Sequence, residues 1–300
     1  MNKQTGVQKT LTDGIELAGE KGKINPQNKL NDLTGAQWTH FLCSVMVTNY
    51  STHSREGFAH DIRKIHPSPK PPQLMQEIIE FFTKRNQWVL DPFVGVGGTL
   101  LGCALSKRHG VGIDLVQDYL DAYSKVCDRL GLETQVAVRG DARHLESILK
   151  QQREINPEIP EEFDFILTDP PYSNMMSKLR TATLKRGKDR TPFSSLDTDL
   201  GNLDYDEFLA QLKLIIESAV SHLKVGKYLA IFVKDLQPNE KPNLLHADVV
   251  NSICQLGNIR FRGYKVWFDQ TQKLYPFGYP SAFVANQFHQ FILFFRKETE

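Results

Sequence analysis

The sequence has few cysteines, and their spacing suggests neither a metal site nor a disulfide framework. The 300 residues include four cysteines, Cys43, Cys103, Cys127 and Cys254, and no two of them form a Cys-x-x-Cys pair. This spacing argues against a zinc knuckle and against a set of disulfides. We therefore expect no bound metal, reduced thiols and a cytoplasmic location.

The sequence also lacks long apolar runs and a strong net charge. No run approaches the ~20 apolar residues that cross a bilayer, and the first residues, MNKQTGVQKT, lack the apolar core of a signal peptide. We expect no association with a membrane. The formal net charge is +1, so any surface that binds nucleic acid must be a local basic patch.

The chain divides into a polar start and a regular remainder. Residues 1–30 show no apolar periodicity and are predicted to form a flexible arm. Over residues 31–300, strand patterns alternate five times with helical patterns, after a first predicted helix at about Gly35–Val47. This alternation predicts an α/β domain with a doubly wound, mostly parallel sheet. The last two predicted strands have no helix between them, so we expect seven strands that end in a C-terminal antiparallel hairpin.

A glycine-rich loop follows the first strand of this alternation, in the segment VLDPFVGVGGTLLG. Asp91 ends the strand, and Thr99 opens the next helix. The glycines between them allow the backbone to approach a ligand closely, and the N–H groups at the helix start can face an anion. The loop is neither a G-x-G-x-x-G fingerprint nor a P-loop. A tight turn that needs glycines only for packing is the alternative.

Two further acids end the next two predicted strands. Asp114 lies ~20 residues past the glycine loop, where a carboxylate can accept hydrogen bonds from ribose hydroxyls. Asp141, in the segment RGDAR, can reach the exocyclic amine of an adenine. Either acid can also cap the helix that follows it. Three strands that each end in an acid beside one glycine loop predict a nucleoside-binding site.

The segment ILTDPPYSNM ends the fourth predicted strand with Asp169-Pro170-Pro171-Tyr172. Two prolines in a row donate no backbone hydrogen bonds and fix their own φ. Such a corner suits an incoming –NH2 group, which brings two donors and needs acceptors such as the Asp169 carboxylate and the Pro170 carbonyl. Tyr172 offers a ring on which a base can stack. A structural turn at the strand end is the alternative.

These residues resemble the S-adenosylmethionine-dependent amino-methyltransferases that modify exocyclic amines of DNA bases. DPFVGVGGTL resembles the cofactor motif of that family, DPPY its catalytic motif, and HPSPKPPQL the proline-rich segment that packs against the methionine end of the cofactor. The segment YPFGYPSAFVANQFHQFILFFRK resembles its closing hairpin. The loop reads GVGGT where the family usually has GxGTT, so Gly98 stands where the family has Thr.

The resemblance implies a class I methyltransferase, Rossmann-like fold with S-adenosyl-L-methionine as cofactor. Asp91 and the loop would hold the methionine part, Asp114 the ribose and Asp141 the adenine. The cofactor-binding residues that it implies are Asp91, Pro92, Phe93, Gly95, Gly97, Gly98, Thr99, Asp114, Asp141 and Ala142. The catalytic residues that it implies are Asp169, Pro170, Pro171 and Tyr172. In the proline-rich segment we expect Lys70 on the solvated surface and His66 packed within the loop.

A base inside a duplex cannot reach such a corner, so a DNA substrate requires base flipping. Residues 173–204 are predicted to form a substrate-contacting insertion whose first part carries six basic residues that can bind backbone phosphates. These are Lys178, Arg180, Lys185, Arg186, Lys188 and Arg190. Sequence recognition would then rest on short loops, on a homodimer or on a partner subunit.

The substrate has several alternatives. In the family, an acid at the first position of the catalytic motif favours adenine N6 over cytosine N4, and both stay open here. Methylation of the guanine N2 amine in RNA is an alternative, as is an inactive nucleic-acid-binding protein of the same fold. A nicotinamide dehydrogenase shares the sheet but not the catalytic corner. DNA methylation of this kind, with or without an accompanying restriction nuclease, is the favoured function.

Overall fold

The computed structural model describes residues 22–52, 57–172, 196, 198–235, 244–276, 278–283 and 285–299. Eight strands lie within these residues. They are β1 (Val45–Thr48), β2 (Trp88–Asp91), β3 (His109–Asp114), β4 (Val136–Arg139), β5 (Phe163–Thr168), β6 (Leu223–Val233), β7 (Ile259–Asp269) and β8 (Gln290–Lys297). They form one sheet in the order β1-β7-β8-β6-β5-β2-β3-β4. Only β8 runs antiparallel to its neighbours, β6 and β7.

Helices cover both faces of this sheet. The described α-helices are α1 (Gly35–Phe41), α2 (His60–Arg63), α3 (Pro72–Phe82), α4 (Gly98–Ser106), α5 (Gln117–Leu130), α6 (Leu145–Ile155), α7 (Tyr205–Ser221) and α8 (Leu245–Ile253). On one face, α3 packs its apolar side against the sheet through Ile78 and Phe82, next to Phe165 and Phe232 of the strands. On the other face, α7 contributes Phe208 to the second large core cluster.

The centre of the sheet positions the candidate site. From β2 the chain winds outward through β3 to β4, whereas β5 and β6 lie on the opposite side of β2. The winding direction therefore reverses between β2 and β5, and open α/β sheets bind ligands at the carboxyl ends of the strands at such a point. All six residues of β5 are buried, as expected for a central parallel strand that is covered on both faces.

The doubly wound, mostly parallel sheet and its antiparallel C-terminal pair confirm the predicted fold class, but the described residues form eight strands rather than seven. The predicted helix Gly35–Val47 ends at Phe41, and Val45–Thr48 forms β1 instead. This short strand pairs in parallel with Val266–Asp269 at the sheet edge. Its pairing partner lies about two hundred residues away in sequence, so local periodicity does not reveal it.

The start of the described chain packs against the domain. Ile24 forms a bridge with Thr34, which caps α1. Asn31 is fully buried and donates a 2.6 Å hydrogen bond from its side-chain amide to the Phe81 carbonyl. Within the described ranges, no helix is long and apolar enough to cross a membrane. Cys103 and Cys127 are buried, whereas Cys43 and Cys254 are exposed.

Candidate active site

A cavity of about 530 Å³ lies at the carboxyl ends of the central strands. Nine of the predicted site residues line it, which brings the tips of β2, β3, β4 and β5 onto one wall. These nine are Pro92, Phe93, Asp114, Asp141, Ala142, Asp169, Pro170, Pro171 and Tyr172. The cavity also takes in side chains that the sequence motifs did not indicate, among them Asp199, Lys234, Trp267 and Gln290.

Asp91 lies below this wall rather than on it. Its carboxylate is buried and accepts hydrogen bonds from the Thr99 hydroxyl at 2.5 Å, the Thr168 hydroxyl at 2.7 Å and the Phe93 N–H at 3.0 Å. Burial raises the pKa of Asp91 to about 7, although these three donors oppose the rise. Asp91 therefore holds the glycine loop and the strand tips in shape from within the protein.

The glycine loop is shaped by close packing behind the cavity. Gly95 and Gly97 have φ values of +52° and +77°, in the left-handed region that disfavours other residues. A Cβ at Gly97 would lie 2.1 Å from the Tyr123 ring, and a Cβ at Gly98 would lie 3.3 Å from the Lys70 carbonyl oxygen. Gly97 therefore needs glycine for packing whether or not a ligand is bound, and Gly98 leaves little room for a side chain.

Asp114 lies on the cavity wall at the tip of β3. Its carboxylate accepts the backbone N–H groups of Gly95 and Val116, both at 2.9 Å. Burial raises the pKa of Asp114 to about 6, against the effect of these two donors. The carboxylate keeps acceptor positions beyond these two bonds, so it can also receive hydroxyl groups of a ligand.

Asp141 follows β4, lines the cavity and caps the turn that comes after it. Its side chain accepts the Arg143 N–H at 3.0 Å and so caps a 3₁₀ turn, Ala142–His144, where the sequence predicted the first turn of an α-helix. Burial opposes its charged form, but the hydrogen bonds and the charge of Arg143 outweigh burial and lower the pKa of Asp141. The carboxylate therefore stays ionised at the cavity wall.

Asp169 is held by two donors at the tip of β5. The Tyr172 hydroxyl donates to its Oδ1 at 2.7 Å. The Lys70 ammonium forms an ion pair with its Oδ2. Tyr172 is buried, and burial together with the Asp169 charge raises its pKa well above the usual value. The expectation that Lys70 is a solvated surface lysine was wrong, since its side chain is only 6% exposed.

His66, in the same proline-rich segment, packs at the edge of the cavity. Its ring meets the ring of Tyr119 at a centroid distance of 4.9 Å, and a Cβ at Gly95 would lie 3.2 Å from it. Burial lowers the pKa of His66 to about 4. A neutral imidazole that packs against the glycine loop agrees with the packing role expected from the sequence.

The predicted phosphate-binding residues fall outside the described part of the chain. They are Lys178, Arg180, Lys185, Arg186, Lys188 and Arg190. Among the residues that are described, no group of three or more His, Cys, Asp or Glu side chains could hold a metal ion.

The wall chemistry fits a nucleoside cofactor. Asp114 and Asp141 place acceptors at the tips of adjacent strands, where they can receive ribose hydroxyls and an adenine amine. Phe93 and the buried Tyr119 add apolar surface between them. The volume falls in the range of cavities that hold small ligands, about 300–1,000 Å³. Asp169 lies on the same wall, so a bound cofactor and a second molecule can share the cavity.

Comparisons with known proteins agree with this geometry. Residues 7–125 match the model of the N6_N4_Mtase family, described as DNA methylase. This matched segment is about 40% of the chain, and it is similar to DNA methylases. It contains the proline-rich segment, the glycine loop and Asp114. It ends before β5 and the Asp169 corner.

Similar curated proteins match short parts of the chain. A putative methylase, YubD, of Escherichia coli K12 is 40% identical over 63 residues, which are 21% of this chain and 28% of that protein. The type II methyltransferase M.HindIII of Haemophilus influenzae is 33% identical over 95 residues, 32% of this chain and 30% of that protein. A tRNA (guanine(10)-N2)-dimethyltransferase of Pyrococcus abyssi is 27% identical over 106 residues, 35% of this chain and 29% of that protein. The matched parts of this chain thus span less than a third of the length of each of these relatives.

Proposed function

We propose that the protein transfers a methyl group from S-adenosyl-L-methionine to the exocyclic amine of a base flipped out of double-stranded DNA, with adenine N6 favoured over cytosine N4. The observation that carries this proposal is that the Asp169 corner opens into the same cavity as Asp114 and Asp141. The family match of residues 7–125 and the similarity to a type II methyltransferase support it.

The cofactor end of the cavity is formed by the first three strand tips. Bound S-adenosylmethionine supplies an electrophilic methyl group on a sulfonium ion. Asp114 would accept hydrogen bonds from the ribose hydroxyls, and Asp141 from the adenine amine. Phe93 and His66 line the cavity and would border the methionine part. Asp91 acts indirectly, because its carboxylate is buried below the cavity wall.

The Asp169 corner holds the amine that receives the methyl group. Each carboxylate oxygen of Asp169 already accepts one hydrogen bond, and each has a second lone pair. The Pro170 carbonyl is a second acceptor, and Pro170 and Pro171 have no N–H that would compete with the amine. Positive charge develops on the amine nitrogen only in the transition state. Asp169 therefore stabilises that state more than the ground state.

The choice of adenine follows from Asp169, because the resemblance associates an acid at this position with adenine N6.

DNA is favoured over RNA because the similarity to a type II methyltransferase and the match to the DNA methylase family both point to DNA. Extrusion of the base costs a few kcal/mol, and the basic residues between 178 and 190 can offset part of that cost by binding phosphates. A homodimer or a partner subunit would complete sequence recognition.

The test is a transfer assay with labelled cofactor. The protein is incubated with labelled S-adenosylmethionine and either plasmid DNA or bulk tRNA, and each product is digested to nucleosides and separated. Label in N6-methyladenine supports the proposal. Label in N4-methylcytosine supports DNA methyl transfer but shows that cytosine, and not adenine, is the target base. Label in tRNA and none in DNA rejects the DNA substrate in favour of the RNA alternative. Absence of label with cofactor binding intact indicates an inactive nucleic-acid-binding protein.

A further inference from the structure

We propose that Lys70 is a positioning residue of the methyl-transfer site, which acts by fixing the carboxylate of Asp169. This inference rests on the proposed function. The Lys70 ammonium is bound to Oδ2 of Asp169, and the two residues are 99 positions apart in the sequence. Lys70 does not line the cavity, whereas Asp169 does. The lysine therefore reaches the carboxylate from inside the protein and leaves the cavity side of Asp169 open.

The backbone of Lys70 is held on two sides. Its carbonyl oxygen accepts a hydrogen bond from the guanidinium of Arg63, a buried residue at the end of α2. The same oxygen lies against Gly98, where a Cβ would come within 3.3 Å. Pro69, Pro71 and Pro72 restrict the flanking backbone. The backbone of Lys70 is therefore held in place between α2 and α4, and this fixes where its side chain begins.

The side chain of Lys70 is also confined along its length. Its ammonium lies 5.2 Å from the centroid of the Phe232 ring, near the end of β6. Burial leaves only 6% of the side chain exposed, compared with 16% for Asp169. An ammonium in this position has few alternatives to the Asp169 carboxylate, because a buried charge needs a partner.

Two donors on different oxygens set the orientation of the carboxylate. The Tyr172 hydroxyl binds Oδ1 and the Lys70 ammonium binds Oδ2. With both donors in place, rotation of the Asp169 carboxylate breaks at least one of these hydrogen bonds. The lone pairs of Oδ1 and Oδ2 that accept neither donor therefore keep a fixed direction. Without Lys70, Oδ2 has lost its donor and the group can turn. A misplacement of about 1 Å at a reacting group costs on the order of 100-fold in rate.

The pairing has a second consequence for the role of Asp169. A carboxylate that is paired with an ammonium remains a hydrogen-bond acceptor. Asp169 can then hold the target amine through its protons while the N–C bond forms and the S–C bond of the sulfonium breaks, and the methylated nitrogen afterwards releases one proton to solvent. The role proposed for Lys70 is therefore to define the acceptor geometry, and Lys70 itself touches neither substrate nor cofactor.

A double-mutant cycle between Lys70 and Asp169 tests the inference. The four proteins are wild type, K70M, D169N and K70M/D169N, and kcat, the Kd of S-adenosylhomocysteine and the Tm are measured for each. We expect K70M to lower kcat about 100-fold and to change the cofactor Kd less than about threefold. In the D169N background, K70M should change kcat by less than about threefold, because the residue through which it acts has gone. K70R should retain more activity than K70M.

A partly buried lysine provides the control. Lys227 also pairs with a buried acid, Asp164, but at the opposite end of the sheet. K227M should lower the Tm and leave kcat unchanged, which separates loss of stability from loss of positioning. A wild-type kcat in folded K70M, or an equal loss of kcat in both backgrounds, overturns the inference.

The same four proteins separate this inference from the proposed function. If wild type transfers no methyl group to any nucleic acid, the proposed function fails. The Tm values of the four proteins still test whether Lys70 and Asp169 form an ion pair. We expect K70M/D169N to lose less in Tm than the sum of the two single losses, since each single variant leaves one buried charge or polar group unpaired. Additive Tm losses would show that the pair does not exist in solution.

Discussion

The Thr168 hydroxyl lies 2.7 Å from the carboxylate of Asp91, although the two residues are 77 positions apart in the sequence. This hydrogen bond joins the tip of β5 to the tip of β2, where the winding of the sheet reverses. The Thr99 hydroxyl binds the other oxygen of Asp91 from the start of α4. One buried carboxylate thus holds together the three elements on which the glycine loop and the Asp169 corner are built.

Asp91 should make the stability of the protein depend on pH. Burial raises its pKa to about 7, above the usual 3.8. Between these values the folded protein holds a proton that the unfolded chain has released, so stability falls as pH rises through this window. We expect D91N to remove this contribution, so that wild type loses about 3 kcal/mol more than D91N between pH 5 and pH 8.

Urea unfolding of both proteins at the two pH values measures this difference. E133Q is the control, because Glu133 is exposed on the surface. Equal losses in wild type and D91N would show that Asp91 is ionised in the folded protein throughout the range.

Gly97 and Gly131 allow packing to be separated from backbone strain. Both have positive φ, +77° and +62°. A Cβ at Gly97 would lie 2.1 Å from the Tyr123 ring, whereas a Cβ at Gly131 meets nothing within 4 Å. We expect G131A to cost about 1 kcal/mol of unfolding free energy. G97A should cost about 3 kcal/mol or more, because overpacking adds to the strain. Chemical denaturation measures both, and equal costs would contradict the predicted clash.

The central strands and the corner could be predicted because their signals are local. Phe163–Thr168 is mostly apolar, as expected for a parallel strand that is covered on both faces, and the structure forms a strand over the same residues. The prolines at 170 and 171 end that strand wherever the rest of the chain lies. Asp114 and Asp141 follow from the same logic, because parallel strands bring their carboxyl ends to one edge.

The features that the sequence did not reveal depend on distant partners. Val45–Thr48 becomes a strand only because β7 offers an open edge. Lys70 resembles any lysine in a proline-rich loop, and its burial depends on Asp169 and Phe232. The contribution of Trp267 to the cavity wall likewise needs the pairing of β7 with its neighbours. Local periodicity carries no information about such contacts.

Asp114 should make cofactor affinity depend on pH. Burial raises its pKa to about 6. Its ionised form accepts more hydrogen bonds from ribose hydroxyls than its protonated form. The proposed cofactor therefore binds the ionised form better, and affinity should fall as pH falls through 6. We expect the Kd of S-adenosylhomocysteine to rise several-fold between pH 7.5 and pH 5.5 in wild type. D114N should bind more weakly at pH 7.5 and show little pH dependence, as measured by calorimetry.

Asp141 provides a contrast within the same cavity. The hydrogen bonds and charge of Arg143 lower its pKa despite burial. D141N should therefore weaken cofactor binding by a similar factor at both pH values and keep the pH dependence of wild type. If the Kd of S-adenosylhomocysteine does not change with pH in D141N, the titrating group is not Asp114.

The basic segment between residues 178 and 190 should govern the salt dependence of DNA binding. Each phosphate contact that is lost reduces the slope of log K against log salt concentration by about 0.9. We expect the triple variant R180A/K185A/R186A to bind duplex DNA more weakly and with a slope smaller by about 2–3. Fluorescence anisotropy at several salt concentrations measures the slope. K125A/K150A, with two lysines on the outer sides of α5 and α6, is the control and should keep the wild-type slope.

Asp169 should affect the transfer step far more than cofactor binding. D169N removes the charge that stabilises the positive amine in the transition state but keeps the size of the side chain. Loss of one such group typically lowers kcat by about 10²–10³-fold. We expect a loss of this size in D169N, with the Kd of S-adenosylhomocysteine within about threefold of wild type.

Y172F removes only the hydroxyl that binds Oδ1 of Asp169, so kcat should fall about tenfold in this variant. Single-turnover methyl transfer to plasmid DNA ranks the three proteins. Transfer by D169N at the wild-type rate would mean that the amine is held elsewhere in the cavity, and a loss in Y172F larger than in D169N would assign the main contact to Tyr172.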